Sequence, residues 1–415
     1  MAAACLACGG GESNLNPGQT ATPTLPVQPA ALPPHARAML EDVARLRGLP
    51  APADLSIAFV TRAQLPAVIE NTLTDDDRRW FAETTTLYRL LGYLGPLDNF
   101  LDIYRGFADE AVIGLYDPQR RAVWVVAADA AGGFDALAAG ERATLTHEFV
   151  HALQDARFGL VAAAKRAQQD HDRDLAWSAL VEGDAVAHER LFSGRSGMAP
   201  GGLHVLFADV GSSPAGIPAP IERSFRFPYT TGADWVRGLR ERGGTAGIDR
   251  SFEAGPSTTA AILHGRPGEP PLDVPALPDL RAALGDGWRL QSGGALGEFE
   301  WQNFLLQHVR ALEAARAAAG RVDDRYAVYT RGGDALLVAN VRCRDAEAAA
   351  ALRAALRTWT DGSGLVTTGR PWFNIAAAPG SNTMAVSSGE GRDVMIVVGT
   401  VIQDVESAVR ALGGG

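Results

Sequence analysis

Thr146-His147-Glu148-Phe149-Val150-His151-Ala152-Leu153-Gln154-Asp155 is the stretch on which the reading of this chain turns. It contains H-E-x-x-H, two histidines one helical turn apart with an acid directly after the first. A helix advances about 100° per residue, so His147, His151, Asp155 and Glu148 share roughly 100° of arc. Phe149, Val150 and Leu153 fall on the opposite side, as an apolar stripe facing a core does. The front of such a helix carries two imidazoles beside carboxylates. Zinc takes those donors, with a base next to its open coordination position. The bland alternative is a solvated His- and Glu-rich helix, and a third ligand would separate the two.

That ligand is sought downstream, where Leu175 to Phe192 reads as a second helix. It holds two acids, Glu182 and Asp184, about 160° apart, so both cannot face one ion. Glu182 is flanked by Ser178, Ala179 and Val186, mostly small groups that permit close approach to the first helix. Trp177, Leu180 and Leu191 crowd the side of Asp184, which leaves Glu182 as the third ligand. His188 lies about 240° round from Glu182 and reads as structural.

H-E-x-x-H followed by a Glu on a later helix resembles the gluzincin branch of the zincin metallopeptidases, at His147, Glu148, His151 and Glu182. The fuller strings His-Glu-Phe-Val-His-Ala-Leu-Gln-Asp (147–155) and Ala-Leu-Val-Glu-Gly-Asp-Ala (179–185) resemble those of poorly characterised bacterial extracytoplasmic metallopeptidase-like proteins. The similarity covers roughly residues 38–310, through Gly-Leu-Tyr-Asp-Pro, Phe-Pro-Tyr-Thr-Thr-Gly and Ile-Leu-His-Gly. It departs from metzincins, which need Gly and His where Gln154 and Arg157 stand.

The resemblance implies a zinc-dependent peptidase acting on peptide or protein substrates. His147, His151 and Glu182 would hold the ion. Glu148 would take a proton from water and return it to the leaving amine. Tyr229 and His264, each in a polar turn after the two helices, are the candidates for a donor to the oxyanion. Asp155 is a candidate for orienting an imidazole from behind, or equally for a surface ion pair. Asp117-Pro118 marks a turn between strands at 111–116 and 122–127. Carried over, Val123 to Ala127 would be the edge strand that pairs with the substrate backbone. Two rival readings stay open: a non-catalytic extracytoplasmic binding lipoprotein on the same scaffold, and a zinc hydrolase of a non-peptide substrate.

The rest of the chain bounds these readings. Its 415 residues suffice for two or three domains, and 47% apolar with 21% charged residues is ordinary for a globular protein. A net charge of −10, with no Lys/Arg-dense stripe, argues against nucleic acid as partner. Three cysteines give no disulfide framework, and Cys343 reads as a small buried residue. No run has the apolar length to cross a bilayer. Residues 1–34 resemble the end of a bacterial lipoprotein signal peptide followed by a Pro/Thr-rich tether. This implies an extracytoplasmic protein, secreted or held at the membrane only by a lipid on Cys8.

The expected fold class is α+β. A mostly helical zincin-like domain with a small mixed sheet spans 35–320, and a small accessory α+β domain spans 321–415. In the accessory domain both helices are expected on one face of the sheet. A helical stretch is expected around 65–94, and a polar loop over 159–172.

Overall fold

The computed structural model describes residues 25–413 apart from 169, 198–215, 256–257, 267–275, 370–372 and 379. Cys8 and the beginning of the tether lie outside the described residues. Helix α1 (Pro34–Arg47) follows a two-residue strand β1 (Ala30–Ala31) and stops at Gly48, whose φ of 78° suits glycine alone. After strand β2 (Ser56–Val60) come α2 (Leu65–Thr72), α3 (Asp75–Leu90) and α4 (Phe100–Ala111). The helical stretch expected over 65–94 is thus divided. Thr74 caps α3 by accepting from the Asp77 N–H, while the Asp77 carboxylate accepts from the Thr74 N–H.

The expected hairpin is present as β3 (Gly114–Asp117) and β4 (Ala122–Val126). Its place in the sheet differs from expectation. The strand order is β1-β2-β4-β3, with β2 parallel to β4 and the other pairs antiparallel. Residues 123–127 therefore do not form an edge, because β2 covers the flank of β4 that the hairpin leaves open. The edge strand beside the candidate site is β3.

Helix α5 (Ala139–Phe158) carries the H-E-x-x-H stretch and lies against this sheet. Phe149, Val150 and Leu153 join Ile57, Tyr116, Val123 and Val125 in one buried cluster with Leu40 and Val43 of α1. Burial of each such side chain contributes about 1.5–3 kcal/mol, which fixes which face of α5 turns away from the sheet. The sheet's other face, with Ala58, Leu115, Trp124 and Val126, belongs to a second cluster with α3 and α4.

A short helix α6 (Leu160–Ala167) replaces the loop expected after α5. Leu160, Ala163, Ala164 and Ala167 form a buried stripe at helical spacing, and that stripe outweighs the polar residues between them. Helix α7 (His171–Ser196) is longer than expected and crosses α5. Helix α8 (Ala219–Phe227) passes through a π turn (Pro228–Gly232) into α9 (Ala233–Ala254), which is kinked at Gly244. Helices α10 (Thr259–Leu263) and α11 (Arg281–Leu284) follow.

The C-terminal region is built on a seven-stranded antiparallel sheet. Its elements are β5 (Arg289–Gly294), α12 (Gly297–Leu305), α13 (Ala311–Ala319), β6 (Arg321–Arg331) and β7 (Asp334–Cys343). Then come α14 (Ala346–Gly362), β8 (Val366–Gly369), β9 (Phe373–Ala377), β10 (Thr383–Ser387), β11 (Asp393–Gly399) and α15 (Ile402–Gly413). The order is β5-β6-β7-β11-β10-β9-β8. Strand β5 belongs to this sheet, so a boundary at 320/321 separates it from its partners.

The two helices after β7, α14 and α15, lie on opposite faces, not on one. Leu337, Ala339 and Val341 pack with Leu352 and Leu356 of α14, while Leu336 and Val338 pack with Val405 and Ala408 of α15. The cause is the run Leu336-Leu337-Val338-Ala339, apolar on both faces of its strand. The cluster that holds α14 also takes in Leu87, Tyr88 and Leu90 of α3, so the two regions share a core. The chain is α+β, a mostly helical part with a small mixed sheet and a sheet-rich C-terminal part. Cys343 is buried and free. No described helix is long and apolar enough to cross a membrane.

Candidate metal centre

Where α5 crosses α7, His147, His151 and Glu182 bring their ligand atoms within 4.8 Å of one another. Glu182 Oε2 lies 3.0 Å from His147 Nε2 and 3.6 Å from His151 Nε2. An ion about 2.1 Å from each donor in a tetrahedral arrangement separates those donors by roughly 3.4 Å, so the spacing suits a small metal ion. Exposure is 8% at His147, 5% at Glu148, 1% at His151 and none at Glu182, so the site opens on the His147–Glu148 side.

Each imidazole is held from behind. His151 Nδ1 is 2.9 Å from Gln154 Oε1, and Gln154 Nε2 donates to the Val181 carbonyl and to Asp184 Oδ2, both at 3.0 Å. With its amide nitrogen committed to two acceptors, Gln154 offers its oxygen to the ring. His151 must therefore donate from Nδ1, which leaves Nε2 as the ligand nitrogen. His147 Nδ1 lies 3.4 Å from Glu189 Oε2, an ion-pair contact that favours the charged ring. Both orienting groups were missed in the sequence. Gln154 stands three residues after His151, and Glu189 stands two turns after Glu182, so helical spacing carried a signal for each.

The electrostatics follow from burial among opposite charges. Burial works against a charged His147, yet the Glu182 and Glu189 carboxylates hold its pKa well above the ordinary imidazole value. Burial would raise Glu182, but the two imidazoles outweigh it and keep the carboxylate far below its usual range. Glu148 differs, because burial pushes its pKa up more than the imidazoles pull it down. Glu148 Oε2 and Glu182 Oε1 are buried and find no hydrogen-bond partner in the described structure. Unsatisfied carboxylate oxygens buried beside two imidazoles fit a site shaped for a cation.

Strand β3 closes one side. The Val126 N–H donates to the Ile113 carbonyl at 2.7 Å, which sets the alternation of the ladder. By that alternation the N–H and C=O groups of Gly114 and Tyr116 point away from β4, towards the sheet's open edge. The Tyr116 N–H acts on the Glu148 carboxylate there and lowers its pKa. Gly114 must be glycine for this approach, since a Cβ would sit 2.7 Å from Thr144 Cγ2 and 2.9 Å from Glu148 Cγ.

The π turn brings Tyr229 over the other side. Its ring stacks on His147 with centroids 6.3 Å apart, and burial together with Glu182 and Glu148 pushes the phenol pKa well above ordinary. It stays a neutral donor at any working pH. The turn is seated by two glycines: a Cβ on Gly183 would meet the Gly232 backbone at 2.5 Å, and one on Gly232 would meet the Ala179 carbonyl oxygen at 2.5 Å. Gly232→Ala is expected to lift the turn off α7, at a cost of about 1–3 kcal/mol. If the site acts as the resemblance implies, zinc should be retained while hydrolysis falls. Tyr229→Phe should reproduce the fall, roughly 10²–10³-fold in kcat, without the loss of stability. Unchanged kcat in both variants, measured beside Tm, would remove Tyr229 from the reaction.

The remaining residues singled out in the sequence lie elsewhere. Asp155 accepts from the Tyr116 hydroxyl and the Leu160 N–H, both at 2.9 Å, so orienting the imidazoles falls to Gln154 and Glu189 instead. His264 caps α10 with Nε2 2.8 Å from Glu298 Oε1, and that contact, not the triad, engages its ring. His188 bonds to Asp184 from within α7. Known proteins add no assignment: no family model, no curated protein and no solved structure matches the chain.

Proposed function

We propose that the chain is a zinc-dependent peptidase of gluzincin type. The observation that carries the reading is the convergence of two imidazoles and a carboxylate from α5 and α7, with Gln154 bonded behind His151, Glu189 facing His147, and Glu148 alongside. His147, His151 and Glu182 would hold the ion. Bound there, zinc supplies Lewis-acid polarisation of a carbonyl and acidifies a water.

The chain's own groups account for the remaining chemistry. Glu148, with its pKa raised by burial, accepts a proton from the attacking water and delivers it to the leaving nitrogen. Tyr229 donates from its neutral hydroxyl to the carbonyl oxygen as charge builds on it. The outward N–H and C=O groups of β3 border Glu148, and an extended peptide is the substrate that pairs with such an edge. A small non-peptide substrate would have no use for that edge. An extracytoplasmic location with a lipid on Cys8 belongs to the same proposal.

The test is the metal content of purified full-length protein after dialysis, together with hydrolysis of a quenched peptide library. About one zinc per chain is expected, with activity lost to a chelator and restored by zinc. Protein that binds no zinc would rule the reading out.

A further inference from the structure

Arg47 ends α1, a hundred residues before the first candidate ligand, His147, yet its side chain is wholly buried behind the metal centre. Its Nε donates to Asp184 Oδ2 at 2.8 Å, and its Nη1 lies 2.8 Å from Asp249 Oδ1 of α9. The oxygen it grips is the one that accepts from Gln154 Nε2 at 3.0 Å. The other Asp184 oxygen lies at an ion-pair distance of 2.9 Å from His188 Nδ1, which is also 2.9 Å from the Asp184 backbone carbonyl. Gln154 in turn faces His151 Nδ1. An unbroken chain of contacts runs Arg47–Asp184–Gln154–His151.

A fully desolvated guanidinium is an expensive core residue, and an apolar side chain of similar volume often stabilises a fold as well. Its presence needs a use that an apolar residue cannot serve. We propose that Arg47 is a positioning residue for the metal centre, locking Asp184 so that Gln154 holds His151 with Nε2 turned to the ion. The inference rests on the zinc reading above and adds a remote residue to it. It also gives α1 a role beyond packing, because the helix delivers that cation to the back of the site.

The test separates positioning from folding. Arg47→Met combined with Asp184→Leu replaces the buried pair by apolar groups and leaves only Asp249, 27% exposed at its side chain, without its cation. Metal-free thermal stability is read by calorimetry, and zinc affinity by competition with a chromophoric chelator, on full-length protein. The expected result is near-normal stability with zinc bound about 10–100-fold more weakly. Adding Gln154→Leu to that background should weaken binding little further, whereas Gln154→Leu alone should weaken it by the same 10–100-fold. Should the paired variant fail to fold, Arg47→Lys takes its place. It keeps the charge but cannot span both acids, and is expected to bind zinc about 10-fold more weakly. Zinc held as tightly by these variants as by wild type overturns this inference alone. Wild type without zinc overturns it together with the peptidase reading.

Discussion

Glu148→Gln should keep about one zinc per chain and lose hydrolysis, with kcat down roughly 10²–10⁴-fold. The amide fills the same volume, and its oxygen can still accept from the Tyr116 N–H. What it cannot do is take up a proton and release it again. Neither Glu148 oxygen is among the three ligand atoms, so the ion should remain. The two measurements together give the result its force. Loss of both zinc and activity would mean Glu148 is a ligand, and retention of both would mean another group is the base.

The second large effect is expected at Glu182. Structural zinc sites release about 10–16 kcal/mol in all, so one ligand of a small set accounts for about 3 kcal/mol or more. Glu182→Gln should accordingly weaken zinc binding by a factor of roughly 100 or greater. The two imidazoles lose their shared counter-charge as well as a donor, since Oε2 faces both rings. A stability readout makes the loss visible without any substrate. At zinc concentrations near 100 times its dissociation constant, wild type gains about 2.7 kcal/mol and Tm rises. The variant should show almost no rise at the same concentration. An equal rise in both proteins would place the ion elsewhere in the chain.

Much of this site was legible before any coordinates. The i, i+4 spacing of His147 and His151 puts both rings on one side of any helix that holds residues 139–158, whatever surrounds it. The apolar set at Phe149, Val150 and Leu153 says which side that must be. Glu182 could be preferred over Asp184 for small neighbours that would let α7 approach α5, but the element that Ala179 and Gly183 admit closely is the π turn. Period alone misled in the C-terminal sheet. There an apolar run leaves both faces in need of cover, and the helices divide between them.

Other features had no local signature. The edge of the mixed sheet depends on β2, 66 residues away by the Ser56–Ala122 register, adding itself to β4. Asp155 was judged by helical angle to sit near the imidazoles, but an angle does not say which neighbouring element offers a partner. Tyr116 and Leu160 offered one first.

By itself, then, the amino-acid order determined the α+β class, the helix that bears the two histidines, and the acid that joins them. Those are short-range matters of spacing, turn chemistry and the side on which apolar groups collect. Only the tertiary structure decided that β3 borders the base, that Gln154 and Glu189 orient the rings, and that Arg47 stands behind them. Each of these depends on pairs of residues brought together by packing across separations no periodicity records. A buried polar group takes whichever partner the packed chain presents to it, and that choice is made in three dimensions.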